Sequence, residues 1–237
     1  METGRMTRIT AVLFDLDNTL YDRDASFLRW ARWFARDRLG LDADPAHGAA
    51  VDRLVTMDAS GYRPRAEVFR WVKEQHPALT ADVDDLIAGF YEEHVAHLAL
   101  DGETRGLLDA LDAAGLPFGI VTNGSAQQLL KVRTLGLDAR TTCVHVSALV
   151  GCRKPEAAIF LAAAADLGVA PGAILFVGDN PEADIVGAAA VGMRTAWVRR
   201  GRAWPDHLAA TTPHYVIDSL AELRWVAEAP RPVGGDA

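Results

Sequence analysis

The chain has 237 residues, half of them apolar, and a formal net charge of −8. That is enough apolar material to bury a full core, in one large domain or in a domain carrying an insert. The acidic balance, with a pI near 5.3 and no polybasic run, argues against nucleic acid as a partner, and no apolar stretch has the length of a membrane span. Cys143 and Cys152 are the only cysteines. They match neither a CxxC pair nor a zinc-ligand spacing, so both are expected to be packing residues in a reducing compartment. The N-terminus carries Arg5 and Arg8 and then a strand-length apolar segment rather than a secretory h-region, so a cytoplasmic location is expected.

That first apolar segment, residues 9–14, reads as a β-strand and runs straight into Asp15-Leu16-Asp17-Asn18-Thr19. Side chains at i and i+2 of an extended segment share a face. Asp15 and Asp17 are therefore expected to aim together into the crevice beyond the strand's carboxyl end, where open α/β sheets bind ligands. Two anions held that close need a cation or a shared proton. A hard divalent ion such as Mg²⁺ takes oxygen ligands and keeps positions for water and a substrate phosphate. By itself the pair also fits acids that merely end a strand and start a turn.

Residues 22–100 show no strand pattern and carry apolar residues at helical spacing, as in Phe27, Trp30, Ala31 and Phe34. Breaks rich in Gly, Pro and capping residues fall at 40–45, 61–64 and 76–80. A helical insert of roughly four helices fits this length. From Leu116 onward short apolar runs alternate with amphipathic stretches, the pattern of βα units around a parallel sheet. Strands are expected at 118–121, 143–146, 174–177, 194–198 and 215–217. Helices are expected at 103–114, 126–135, 156–167, 183–191 and 220–227. Residues 229–237, with Pro230, Pro232, Gly234 and Gly235, read as a loose tail.

Three further signals sit at expected strand ends. Thr122-Asn123-Gly124 offers a hydroxyl and turn amides suited to a phosphoryl oxygen, or simply a strand-to-helix turn. Lys154 precedes Pro155, where a helix is expected to begin; its ammonium could neutralise both a carboxylate and a phosphate. Gly178-Asp179-Asn180-Pro181-Glu182-Ala183-Asp184 places one acid at a strand end and a second in the opening of a helix, as a metal site or an N-capping cluster would.

Taken together and in this order, DLDNT, TNG, the lysine of RKP and GDNPEAD resemble the four motifs of the haloacid dehalogenase (HAD) superfamily, over about residues 9 to 200. The resemblance implies a Rossmann-like parallel sheet with helices on both faces. It also implies a C1-type all-helical cap inserted after the first motif, so that residues 1–21 and 101–237 form the catalytic core and 22–100 the cap. Residues 19–22 would form the short mobile turn between them.

The resemblance further implies a phosphatase of the nucleotidase or sugar-phosphatase kind, acting on a small phosphorylated metabolite with Mg²⁺ as cofactor. Asp15 would be the nucleophile that forms an aspartyl-phosphate. Asp17 would be the general acid and base, its backbone carbonyl a second protein contact to the metal. Thr122 and the amide of Asn123 would hold phosphoryl oxygens, and Lys154 would balance the charge. Asp179 would ligate the metal beside Asp15 and Asp17, and Asp184 would orient Lys154 or metal-bound water.

The competing expectations are a 2-haloacid dehalogenase, against which Asp17 argues, a phosphomutase sharing all four motifs, and a non-catalytic binding or regulatory module. A phosphonate hydrolase would need a cap lysine, for which Lys73 is the sole candidate. Arg63 and Arg65 are either solvated or turned to an anionic substrate, and His94 and His97 lack a carboxylate at metal-ligand spacing. A monomer or a homodimer is expected.

Overall fold

The computed structural model describes residues 8–42 and 45–228; Arg5, part of the expected break at 40–45 and the expected tail lie outside them. The chain divides into two compact units, residues 22–99 being one and the flanking segments the other.

The first strand, β1 (Ala11–Phe14), is buried at every position. Successive strand residues point to opposite faces, so both faces of the sheet are covered here. It is two residues shorter than expected, because the ladder to its neighbour starts where Ala11 meets Ile174.

The helical unit follows directly, as α1 (Arg23–Asp37), α2 (Ala46–Asp58), α3 (Arg65–Gln75) and α4 (Val83–His94). Two of its helices start where a carboxylate accepts an otherwise orphaned backbone N–H. Asp22 accepts from Ala25 N and Asp82 from Asp85 N, each at 2.8 Å. The apolar stripe of α1 becomes the centre of this unit. Trp30 stacks on Phe34 at 4.8 Å and meets the Phe90 ring edge to face at the same centroid distance. Replacing the fully buried Trp30 with Ala is expected to cost about 3–5 kcal/mol, to be measured by urea unfolding of the full chain.

Arg65 is neither solvated nor free for a substrate within this unit. It pairs with the buried Asp58 at 2.5 Å and lies over the Phe90 ring at 4.4 Å, and Arg23 grips the same carboxylate through both nitrogens of its fork. Lys73 donates to the Ala81 carbonyl.

The chain continues through α5 (Gly102–Ala113), β2 (Phe118–Thr122), α6 (Gln127–Thr134), β3 (Val144–Val146), α7 (Ser147–Val150), α8 (Ala157–Asp166) and β4 (Ile174–Gly178). A π-turn at Pro181–Val186 leads into α9 (Gly187–Ala190). Then come β5 (Arg194–Val198), β6 (Tyr215–Ile217), a 3₁₀ turn at Leu220–Leu223 and α10 (Trp225–Glu228). The described strands form one sheet in the order β3-β2-β1-β4-β5-β6, every pair parallel. This is the Rossmann order, with β1 central and the switch of direction between β1 and β4.

On one face, Ala11, Leu13, Val121, Ile174 and Phe176 pack with Ile159, Phe160 and Ala163 of α8 and Ala188 of α9. Cys143 lies in the same cluster and Cys152 packs against it. Both are free thiols, and burial pushes the Cys143 thiol up to about 12. On the other face Phe14 meets Phe118 edge on at 6.0 Å.

The helices expected at 103–114 and 126–135 are found within one residue of those bounds, and the other three differ for local reasons. The helix expected from residue 156 begins at Ala157, with Glu156 as its cap. The one expected at 183–191 opens as a π-turn. There the Asn180 side chain accepts from Glu182 N and Ala183 N, and Asp184 N returns to the Asn180 carbonyl. The last, at 220–227, divides into the 3₁₀ turn, opened by a Ser219/Glu222 capping box, and α10.

Candidate active site

The carboxyl ends of β1, β2 and β4 converge on one cluster of charge. Asp15 is the first residue beyond β1, and its N–H still joins the sheet by donating to the Val177 carbonyl at 2.9 Å, so the rigid centre of the sheet fixes its backbone. Its carboxylate accepts from Lys154 Nζ at 2.6 Å through one oxygen and from the Thr19 hydroxyl at 3.1 Å through the other.

Lys154 comes from the loop between α7 and α8 and is almost wholly buried. Its ammonium bridges Asp15 to Asp184, 2.7 Å away. The Asn123 side chain, beyond the end of β2, holds the lysine from behind. Its oxygen accepts from Lys154 N at 2.9 Å, and its nitrogen donates to the Lys154 carbonyl at 3.0 Å.

Asp184 reaches the cluster because of the π-turn, and its second oxygen accepts from Asn180 N at 2.8 Å. A Cβ at position 178 would run into the Asp184 carboxyl group, so glycine there makes the close approach possible. Asp179, the residue after β4, is held through its carbonyl by Trp197 Nε1 at 2.9 Å and Arg202 at 2.7 Å. Arg202 also donates to its carboxylate at 3.0 Å.

Asp17 has partners of its own. Lys131 Nζ lies 2.7 and 2.9 Å from its two oxygens, Gln128 Nε2 donates to it at 2.7 Å, and the Tyr21 hydroxyl donates as well. The same Gln128 nitrogen donates to the Thr122 hydroxyl at 2.7 Å.

These surroundings separate the acids. Burial drives Asp15 up, and the neighbouring Asp184 and Asp179 add to the effect, so its carboxyl rises to about 8 despite Lys154. Burial also opposes ionisation of Asp17, but Lys131, Tyr21 and Gln128 outweigh it and hold that carboxyl well below the usual range. Asp179 is pushed up to about 6 by burial and Asp184, which Arg202 offsets only in part. For Lys154, burial favours the neutral amine, yet Asp15 and Asp184 prevail and raise it above the ordinary lysine value.

Asp15, Lys154, Asp179 and Asp184 thus meet in one cluster, while Asp17 and Thr122 meet through Gln128, and Asn123 supports Lys154 from behind. One ligand atom from each of Asp15, Asp179 and Asp184 lies within 4.8 Å of the others, a set of hard oxygen donors suited to Mg²⁺. The Asp17 carboxylate is not in that set. Lys131, Gln128, Tyr21, Arg202 and Trp197 were not foreseen as partners. A signal existed for two of them: Gln128 and Lys131 are three apart and so share one face of α6, and Lys131 is one of only three lysines.

A family model described as "HAD-hyrolase-like" matches residues 151–223. The chain is 32% identical to a ribulose-1,5-bisphosphate 5-phosphatase of Halopiger xanaduensis, covering 78% of this chain and 83% of that protein. It is also 32% identical to a phosphoserine phosphatase of Thermus thermophilus, covering 87% and 81%. Among solved structures, a HAD family hydrolase from Deinococcus radiodurans with bound phosphate and sodium is 25% identical, with a TM-score of 0.67 and 94% and 97% coverage. A 2-haloacid dehalogenase from Pseudomonas syringae is 28% identical, with a TM-score of 0.59 and 93% and 98% coverage.

Sheet order and these matches together define a hydrolase with a Rossmann-like core and a helical cap. The chain belongs to the haloacid dehalogenase superfamily, and it is a phosphatase-like member, a phosphoric monoester hydrolase. Among the described residues no helix is long and apolar enough to cross a membrane.

Proposed function

We propose that this chain is a Mg²⁺-dependent phosphatase that hydrolyses a small phosphorylated metabolite in the cytoplasm through an aspartyl-phosphate on Asp15. The observation that carries the reading is the buried Asp15–Lys154–Asp184 bridge at the switch point of the sheet, with Asp179 beside it. Asp15 attacks phosphorus as the bond to the leaving oxygen breaks; Asp17, ionised among its resting partners, takes up a proton from solvent as it exchanges one of those bonds and delivers it to that oxygen. Asp17 then takes a proton from the water that cleaves the acyl phosphate, releasing phosphate and restoring Asp15. Every donor around Asp17 bonds to a carboxylate oxygen, so it reaches the substrate by exchanging one of these bonds. Thr122 and the backbone N–H of Asn123 hold phosphoryl oxygens, and Lys154 balances their charge.

The donor set fits a hard divalent ion. Four carboxylates, Asp15, Asp17, Asp179 and Asp184, share three cations, Lys131, Lys154 and Arg202, leaving negative charge uncompensated. Asp15 and Asp179, with the Asp17 carbonyl, would hold Mg²⁺, while Asp184, whose oxygens meet Lys154 and Asn180 N, orients the lysine. When bound, the ion neutralises charge and polarises a phosphoryl oxygen. A second acid at Asp17, gripped by its own partners, supports ester cleavage over displacement at carbon. The helical unit would select the substrate, and the names of the relatives point to phosphorylated sugars and amino acids as the first esters to try.

The test is phosphate release from a panel of sugar phosphates, nucleotides, phosphoserine and p-nitrophenyl phosphate. Release that falls to background in EDTA and returns with Mg²⁺ is expected. Undiminished release in EDTA would remove the metal from the proposal, and halide release from a 2-haloacid with no ester cleaved would replace it.

A further inference from the structure

We infer that Gln128 is a positioning residue that sets the direction of the Thr122 hydroxyl proton, keeping it available for a phosphoryl oxygen. The inference rests on the phosphatase reading and extends it to a residue outside the four motifs.

Gln128 is buried, and the two ends of its amide are chemically distinct. Which end faces which neighbour follows from the partners. The Asp17 carboxylate already accepts from the Lys131 ammonium and the Tyr21 hydroxyl, so it acts as an acceptor and must face the amide nitrogen. That nitrogen carries two hydrogens, and its short contacts are Asp17 Oδ2 and Thr122 Oγ1, both at 2.7 Å. One hydrogen goes to each.

Thr122 Oγ1 is therefore the acceptor of this bond, and its own proton points elsewhere. A hydroxyl can rotate, and a threonine facing an acceptor would spend its proton there; the glutamine nitrogen forbids that. Thr122 is itself buried at the end of β2, so the orientation is set before any ligand arrives, as preorganised donors require. The geometry has little slack. A Cβ at position 124 would clash with the Gln128 side chain, and Gly124 has φ +154°, so the turn after Thr122 lies directly against the glutamine.

The test uses the full chain with Mg²⁺ present and two readouts: the inhibition constant of inorganic phosphate, and kcat and KM for p-nitrophenyl phosphate. Gln128→Met removes the donor at similar size and is expected to weaken phosphate inhibition roughly fivefold, the effect of one lost hydrogen bond. Gln128→Glu keeps the shape but offers an acceptor to Thr122 and a like charge to Asp17. It is expected to lower kcat/KM on the order of 10²-fold, as when an oxyanion donor is lost. In a Thr122→Val background, Gln128→Met should weaken phosphate inhibition by no more than about a further twofold, because for phosphate binding both changes act on the same hydroxyl, whereas its bond to Asp17 bears on turnover.

Losses of phosphate inhibition that multiply in the double variant, or unchanged phosphate inhibition in a Gln128→Met protein that melts like wild type, would overturn the inference. Either result leaves the phosphatase reading intact. A wild type that neither turns over an ester nor binds phosphate by calorimetry would overturn both.

Discussion

Replacing Asp15 with Asn is expected to reduce phosphate release on the order of 10⁴-fold or more, since the atom that forms the covalent intermediate is gone. The same variant should melt at a higher temperature than wild type in metal-free buffer near neutral pH. Asp15 is ionised in the unfolded chain above pH 4, but burial and the neighbouring acids raise its folded value to about 8. The folded state therefore keeps a proton that the unfolded state has released, and stability is lost as pH rises from about 4 to 8. Asn abolishes that loss and leaves Lys154 paired with Asp184. The gain in melting temperature should be largest near pH 8 and vanish near pH 4. A calorimetric pH series on the two proteins measures it, and retained turnover in Asp15→Asn would exclude Asp15 as the nucleophile.

Removing the central cation should have the opposite effect on stability. Lys154→Met leaves Asp15 and Asp184 without the ammonium that joins them, where all three residues are buried. Breaking one side of a buried ion pair typically costs about 3–5 kcal/mol. Because the lysine lowers the Asp15 value, its loss raises that value further. Below about pH 8 Asp15 keeps its proton in both folded proteins and the deficit stays level; it should deepen as pH rises above about 8, where Asp15 ionises beside the lysine in wild type but not in the variant. Lys154 is itself raised above the ordinary lysine value, so in wild type its contribution is complete at neutral pH and is lost only in strong alkali. Urea unfolding at pH 7 and pH 9 reads both. A deficit that does not change with pH would mean that lost packing, not charge, dominates.

Much of the core was legible because parallel strands buried on both faces read as unbroken apolar runs. The strands expected at 194–198 and 215–217 were found with those bounds, and those near Asp15, Thr122 and Asp179 differ by at most two residues. The stripe of Phe27, Trp30 and Phe34 identified the centre of the helical unit by period alone. What escaped depended on long-range placement. Nothing local says that Lys131 turns to Asp17, 114 positions earlier in the chain, or that Arg202, in the loop after β5, reaches Asp179. Arg65 was misjudged because its exposure depends on Asp58, one helix away, whose burial periodicity alone does not reveal. The π-turn was missed because an acid in a helix's first turn ordinarily signals capping, whereas Asp184 is turned inward to the lysine.

The paired hydrogen bonds between the Asn123 amide and the backbone of Lys154 also bear on entropy. A free lysine side chain carries about 2 kcal/mol of rotamer entropy, and a surface lysine closing on an anion must surrender it during that event. Here the backbone is tethered at two points and the ammonium at two carboxylates, so the disorder is given up when the chain folds. A phosphoester arriving at this lysine meets a cation already at rest, and its binding need not draw on the lysine's freedom of motion.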